Sequence, residues 1–230
     1  MLSLELALRL TEVLLALAFL QQSAEHMAQD PRDRPLYVIR FALSTLLLVG
    51  VETQWVLLAL SLHSLAVLHR FAGPFNGGSD RMALLVLYCL TAATWAPPGL
   101  TQDLAFGYLA VQVILSYFIS GKVKLENPEW RSGTALQDVF LFSAYPVSGD
   151  VRGLAHRPQT LRFVSWAVIT LELAFPLALL NQTALLVALG ATVVLHVANA
   201  CLFGLNRFVW AWIAAYPSII WLQDRLMNGV

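Results

Sequence analysis

Long apolar stretches separated by short polar breaks make up most of the chain. A membrane-spanning helix needs about 20 mostly apolar residues, and eight stretches approach this length. They cover residues 3–22, 36–51, 53–70, 81–96, 104–121, 163–180, 183–203 and 207–223. The breaks carry turn-forming polar residues, such as Glu52-Thr53-Gln54 and Asn181-Gln182-Thr183. The pattern predicts an all-α fold: a polytopic transmembrane helical bundle of about eight spans, one integral membrane domain over residues 1–230 without a separate soluble domain.

The first stretch differs from the others because it carries a polar stripe. Glu5, Arg9 and Glu12 follow one another at intervals of four and three residues, so they share one helical face. A helix of this kind can span the membrane with the stripe turned to the bundle, or lie flat in the interface. We favour the spanning arrangement; the flat arrangement leaves seven spans.

The polar residues that remain are concentrated in one long connection, residues 122–162. Within it, the segment TALQDVFLFSAYPV (134–147) is too short to cross a bilayer. We expect it to form a short re-entrant or interfacial helix.

Composition and charge agree with a membrane protein. Hydrophobic residues make up 58% of the chain and charged residues only 12%, whereas soluble domains carry about 25% charged residues. The basic residues form no cluster typical of a nucleic-acid interface, so the lipid bilayer is the expected partner. With eight spans, 12 of the 14 Lys and Arg residues lie on one side, and the positive-inside rule places the 122–162 loop in the cytoplasm.

Two lysines follow a strongly apolar predicted helix, in the segment SGKVKLENPEW (120–130). Lys122 and Lys124 point about 200° apart on a helix, so they cannot share one environment. One can reach the headgroups while the other faces the protein. A lysine that is held away from water and neutral near pH 7 can act as a general base, although both lysines are also consistent with simple interface anchors.

Three further polar residues fall inside apolar helices. His196 and Asn199 lie three residues apart on one helical face, and Glu172 lies among apolar neighbours. A buried carboxylate needs a partner or a proton, and His196 or a basic residue is a plausible partner. We expect these three residues to share a polar interior. The sequence contains no HExxH, Walker or GxGxxG-after-strand motif, and we expect no metal.

One segment, SYFISGKVKLENPEWRSGTAL, resembles the horizontally transferred transmembrane (HTTM) family, which includes the vitamin K-dependent gamma-carboxylase. The family pattern is an aromatic helix end, Gly-x-x-Lys-Leu, a Trp and a following Gly, represented here by Tyr117-Phe118, Gly121, Lys124-Leu125, Trp130 and Gly133. The acidic position in LELAFPL, Glu172, and the His-x-x-Asn of HVANACLFGLNRF follow in the expected order.

The resemblance implies an enzyme of the bacterial cytoplasmic membrane with lyase or oxidoreductase chemistry. In the carboxylase, the motif lysine is the base that deprotonates reduced vitamin K, so the resemblance implies Lys124 as the base and reduced vitamin K or another lipid quinol as cofactor. Four aromatic residues would line the quinol pocket: Tyr117, Phe118, Trp130 and Phe208. The substrate would be a peptide or lipid.

Because the large soluble domain of the carboxylase is missing here, we expect a soluble or peptide partner to supply substrate binding. The alternative is a non-catalytic membrane subunit for the maturation of, or immunity to, an exported peptide.

Overall fold

The computed structural model describes residues 2–74, 77–143 and 149–228, which form helices and no strand. In chain order the α-helices are α1 Leu4–Gln29, α2 Arg34–Val49, α3 Thr53–Arg70, α4 Gly77–Trp95, α5 Leu100–Glu126, α6 Pro128–Ser132, α7 Thr134–Phe142, α8 Gly149–Arg152, α9 Pro158–Ala174, α10 Gln182–Phe203, α11 Asn206–Ile213 and α12 Tyr216–Asn228. Two 3-10 segments, Gly153–His156 and Phe175–Leu180, flank α9.

Three helical stretches among the described residues are long and apolar enough to cross a membrane. They are Leu100–Glu126, Pro158–Leu180 and Gln182–Phe203, and they correspond to the fifth, sixth and seventh predicted spans. The other predicted spans form helices that are shorter or more polar. The all-helical prediction is therefore confirmed together with three candidate spans, whereas the count of about eight spans is not confirmed.

Prolines explain where the predicted helix limits were wrong. The stretch predicted as one span over 207–223 is two helices, α11 and α12. A continuous helix would need a backbone N–H at Pro217, which proline lacks, whereas proline is tolerated in the first turn of a new helix such as α12. In the sixth stretch, α9 ends before Pro176 and a 3-10 segment follows. The fifth helix runs five residues beyond its predicted end at 121, to Glu126, where Asn127 and Pro128 begin the next helix.

The short helix predicted inside the 122–162 connection is present as α7, although residues 144–147 of the predicted segment lie outside the described residues. Helix α7 packs against α6, α9 and the 3-10 segment Gly153–His156. Its Phe140 is buried in a small apolar core with Ala155, Leu161 and Phe203. Phe142, two residues further on, is 77% exposed.

The chain forms two compact units, residues 1–111 with 210–230, and residues 112–209. In the first unit, α1 packs against α2, α4 and α12. The polar stripe of α1 is partly turned inward: the Arg9 guanidinium pairs with buried Glu12 at 2.8 Å, while Glu5 is exposed. Arg9 also donates to the carbonyls of Leu47 and Leu48, at 2.9 and 2.6 Å, and so satisfies the end of α2.

The first unit also buries polar residues that the sequence did not single out. Gln22 donates to the Asp80 carboxylate at 2.7 Å, and Arg70 pairs with buried Asp33 at 3.0 Å. Arg40 is only 4% exposed, and its guanidinium carbon lies 3.8 Å from the centre of the Phe19 ring. These contacts explain how charged side chains are accommodated between helices.

Candidate active site

The site is built on one face of α5. Ser120 and Gly121 lie three and four residues after Tyr117, and Lys124 lies four and three residues after them, which places all four residues on the same side of the helix. Because α5 continues past both lysines, Lys122 points elsewhere. Its side chain is 57% exposed and lies 3.7 Å from the carboxylate of Glu126, whereas the Lys124 side chain is 16% exposed.

Gly121 allows α9 to approach this face closely. A Cβ atom at this position would lie 2.7 Å from the backbone nitrogen of Leu173 and 2.9 Å from Cβ of Glu172. No side chain fits at these distances without moving the helix. The glycine of the Gly-x-x-Lys pattern thus brings the backbone of α9 against α5, one helical turn before the lysine.

Lys124 uses this proximity to form an ion pair with Glu172. Its Nζ lies 2.7 and 3.0 Å from the two carboxylate oxygens and also donates to the Ser120 hydroxyl. The Glu172 side chain is 8% exposed. A charged pair this well buried requires close geometry and further hydrogen bonds to offset desolvation, and Ser120 supplies one of them.

A third element, the short helix α6, places an aromatic ring beside the amine. The Trp130 ring centre is 5.1 Å from Lys124 Nζ, within the range of a cation–π contact. Asn127 caps α6 by accepting from the Glu129 backbone N–H at 2.8 Å. The local sequence Asn-Pro-Glu-Trp therefore starts a new helix directly after the end of α5 and so positions the Trp130 ring beside Lys124.

Helix α6 is attached to α9 along one seam. Gly133 adopts φ +89°, and a Cβ atom there would lie 2.7 Å from the Arg162 backbone nitrogen. The Ser165 hydroxyl donates to the Trp130 carbonyl, and the Trp166 indole N–H donates to the Arg131 carbonyl at 3.1 Å. Gly121 and Gly133 thus both allow the same helix, α9, to approach the motif.

An open groove of about 540 Å³ adjoins Trp130. Its walls are mainly apolar, with Asp138, Ser143 and Asn199 as the polar members; the other lining residues are Trp130, Leu136, Val139, Phe142, Phe203 and Leu205. The side-chain amide of half-buried Asn199 makes no hydrogen bond to any described residue. Its donors and acceptor are therefore available to a molecule in the groove.

A second polar contact lies on the same face of α5. The Tyr117 hydroxyl and His196 Nε2 are 2.9 Å apart. Both residues are buried, with exposures of 2% for Tyr117 and 5% for His196. The Tyr117 ring packs against Phe175 at 4.4 Å between ring centres. The contact links α5 to α10 and orients the His196 imidazole.

The predicted site residues thus fall into three groups. Lys124 contacts Glu172 and Trp130, His196 contacts Tyr117, and Asn199 shares the groove with Trp130. Of the four predicted pocket aromatics, Trp130 lines the groove and the other three do not: Tyr117 is buried beside His196, Phe118 is 39% exposed, and Phe208 is half-buried. No group of three His, Cys, Asp or Glu residues that could hold a metal occurs in the described parts of the chain.

Several residues of the site were missed by sequence reasoning. Ser120 and Ser165 contact the site directly, and Phe142 and Phe203 form much of the groove wall. A signal for Ser120 existed, because it lies four residues before Lys124 on the same helical face. No comparable signal existed for Phe142, since its contact with the groove depends on how α7 packs.

Comparison with known families agrees with the motif. The family model described as the HTTM domain matches residues 103–223, more than half of the 230-residue chain. This chain belongs to the HTTM family. HTTM is a membrane domain of carboxylase-like proteins, and the matched region contains every residue of the candidate site. No curated protein and no solved structure matches this HTTM chain.

Proposed function

We propose that this HTTM protein is an integral membrane enzyme in which Lys124 is a base toward a quinol-like cofactor, in an oxygen-dependent reaction on a peptide or lipid. The observation that carries the proposal is the Lys124–Glu172 pair, which lies beside a ring that also forms a wall of an apolar groove. Ionisable groups inside membrane helices are costly and by default indicate function.

The groove fits a flat apolar ring with polar substituents. Its volume of about 540 Å³ lies within the range of about 300–1,000 Å³ typical of ligand pockets. Trp130, Phe142 and Phe203 offer aromatic surface, and the Asn199 amide can donate to or accept from a hydroxyl or carbonyl group. A bound hydroquinone would supply an acidic hydroxyl group and two electrons that dioxygen accepts.

Glu172 explains how an ion-paired lysine can serve as a base. An ammonium cannot accept a proton, so one proton must first leave Lys124 Nζ. At 2.7 Å, Glu172 Oε2 can take it directly: an N–H bond breaks, an O–H bond forms, and the pair becomes a neutral amine and a neutral acid. The neutral amine then has a lone pair to accept a proton, while one of its remaining N–H groups still donates to the Ser120 hydroxyl.

We further propose a bacterial cytoplasmic membrane as the location, and the charge pattern favours an orientation with the 122–162 loop in the cytoplasm. Gly153 offers a probe position in that loop, because a side chain there would meet nothing within 4 Å. With Cys89 and Cys201 replaced by Ala, a Gly153→Cys variant should react with a membrane-impermeant maleimide only after the cells are opened. Labelling of intact cells would reverse the orientation.

The test of the enzymatic proposal is oxygen-dependent oxidation of an added naphthohydroquinone by the purified protein in detergent. We expect the wild type to exceed the buffer background and Lys124→Met to fall to it, since general-base catalysis contributes about 10²–10⁴-fold. Lys124→Arg should fail as well, because a guanidinium stays protonated. Lys122→Met is the matched control, two residues away on the exposed side of the same helix, and should keep full activity.

Two results would contradict the proposal. Equal turnover by wild type and Lys124→Met would remove the base assignment. No turnover above background by any variant, with the wild type folded and able to bind the naphthohydroquinone, would favour the non-catalytic subunit for peptide maturation or immunity.

A further inference from the structure

A second groove lies in the unit formed by residues 1–111 and 210–230, between the first half of α5 and α12. Its volume is about 560 Å³. The α5 wall consists of Asp103, Leu104, Gly107, Tyr108 and Val111, and the α12 wall consists of Trp221, Leu222 and Arg225. Nothing in the proposed reaction uses these residues.

Gly107 gives the groove its depth. A Cβ atom at this position would lie 3.7 Å from the Trp221 ring, so the absence of a side chain lets the groove reach the edge of that ring, which is only 3% exposed. Trp221 itself is fixed from behind, with its ring centre 5.4 Å from that of fully buried Phe106. The floor is therefore a rigid aromatic surface, while Leu104, Tyr108 and Val111 at the rim are 49–62% exposed.

The groove is charged at one end only. The Arg225 guanidinium lies 3.2 and 3.4 Å from the two carboxylate oxygens of Asp103, and the two side chains are 35% and 25% exposed. A pair this open and this long contributes little to stability. Arg225 and Asp103 can therefore give up this contact and pair with the charged groups of a ligand at a small cost in free energy.

The charged end of the groove lies at the level of the lipid headgroups and its apolar end at the level of the acyl chains. Helix α5 has 27 residues and is about 40 Å long, so it exceeds a hydrocarbon core of about 30 Å by several residues at each end. Asp103, the fourth residue of α5, then lies at headgroup level. Val111 lies about 12 Å further along the axis, among the acyl chains.

We propose that this groove is a binding site for a zwitterionic phospholipid with a primary ammonium, such as phosphatidylethanolamine. The phosphate accepts hydrogen bonds from the Arg225 guanidinium, the ammonium donates to the Asp103 carboxylate, and one acyl chain lies over Gly107 against Trp221. An ion pair without net charge matches a headgroup without net charge. An anionic lipid would meet the Asp103 carboxylate without offering it a cation.

Native mass spectrometry of the detergent-purified protein tests the proposal. Phosphatidylethanolamine, phosphatidylcholine and phosphatidylglycerol with the same acyl chains are added separately, and the bound fraction is measured. We expect phosphatidylethanolamine to be retained best, because choline has no N–H to donate to Asp103. Arg225→Gln should weaken binding of phosphatidylethanolamine and phosphatidylcholine alike, by about tenfold for one charge-assisted hydrogen bond.

Two further variants distinguish recognition of the lipid headgroup from binding of the acyl chain. Asp103→Asn should abolish the preference for phosphatidylethanolamine over phosphatidylcholine. Gly107→Leu should reduce binding of every lipid by filling the groove, whereas Gly190→Leu, at a helical glycine with nothing within 4 Å, should have no effect. Equal retention of the three lipids, a preference for phosphatidylglycerol, or unchanged binding in Gly107→Leu would each overturn the proposal.

Discussion

Two regions of the molecule bury a glutamate beside a cation, and they use the arrangement differently. Glu12 meets Arg9 at 2.8 Å and Glu172 meets Lys124 at 2.7 Å, and both carboxylate side chains are 8% exposed. Arg9 also donates to two backbone carbonyls at the end of α2. Arg9 is thus also held by carbonyls, which cannot change protonation, and its guanidinium stays protonated, so this pair is structural.

The Lys124–Glu172 pair is held by side chains only. Lys124 donates to Glu172 and Ser120, and its charge faces a Trp130 ring that borders a groove. Among the described residues, no backbone carbonyl accepts a hydrogen bond from this amine. A buried ion pair is therefore weak evidence of function by itself, and the remaining partners of the cation decide whether it can exchange a proton.

The strongest perturbation of the second region is expected from Gly121→Ala. Its Cβ would lie 2.7 Å from a backbone nitrogen of α9, so the helices must separate and the Lys124–Glu172 pair must open. We expect a loss of about 3 kcal/mol in the free energy of unfolding, together with loss of hydroquinone oxidation.

Gly107→Ala is the matched control for this change, in the same helix, where the nearest atom would lie at 3.7 Å. It should be neutral or stabilising by up to about 1 kcal/mol, because Ala favours a helix over Gly. Thermal unfolding in detergent measures both variants. Similar melting temperatures would show that the close approach at Gly121 is not needed.

The variants Arg9→Met and Lys124→Met should distinguish a pair needed only for stability from a pair needed for activity. Arg9→Met leaves Glu12 unpaired and two carbonyls unsatisfied, so we expect a loss of about 2 kcal/mol in stability with activity per folded molecule unchanged. Lys124→Met should cost a similar amount, about 2 kcal/mol, because protonating a lone Glu172 near pH 7 is itself costly, but unlike Arg9→Met it should abolish turnover. The same pattern of losses in both variants would remove the distinction between the two pairs.

Ser165→Ala tests the seam between α6 and α9. The variant loses the hydrogen bond to the Trp130 carbonyl, which should cost about 1 kcal/mol and reduce turnover severalfold by loosening the ring beside Lys124. Binding of the naphthohydroquinone should weaken in parallel, as measured by quenching of tryptophan fluorescence. Unchanged binding and turnover would exclude a positioning role for this bond.

Lys122→Met should have the smallest effect. Its pair with Glu126 is exposed on both sides at 3.7 Å, and exposed pairs of this spacing contribute about 0.3–0.5 kcal/mol. Stability should change by no more than that amount in low salt and by less in high salt. A larger loss would mean that Lys122, rather than Lys124, anchors the end of α5.

The parts of this site that sequence could predict are those fixed by local geometry. The different environments of Lys122 and Lys124 follow from helical rotation alone, and the need of Glu172 for a partner follows from its apolar neighbours. The identity of that partner did not follow, because Lys124 lies 48 residues away and His196 was equally plausible from sequence. The structure pairs His196 with Tyr117 instead.

The prediction of the fold was limited in the same way. The apolar stretches predicted where helices occur, but they did not predict the break before Pro217, because hydropathy contains no information about a missing backbone N–H. The role of Gly121 was also hidden. A glycine in a helix reveals a close approach only when the neighbouring backbone is known.

The interval of 48 residues between Lys124 and Glu172 also governs how the site is made. A ribosome adds about 5–20 residues per second, so α5 is complete roughly 2–10 s before the carboxylate that neutralises its lysine is synthesised. During that time Lys124 lacks its Glu172 partner. Its place two residues from the end of α5 lets the ammonium extend to the headgroups, and the charge moves inward only when α9 packs against Gly121. We therefore expect the position of Lys124 near the end of α5 to ease insertion of this helix into the membrane.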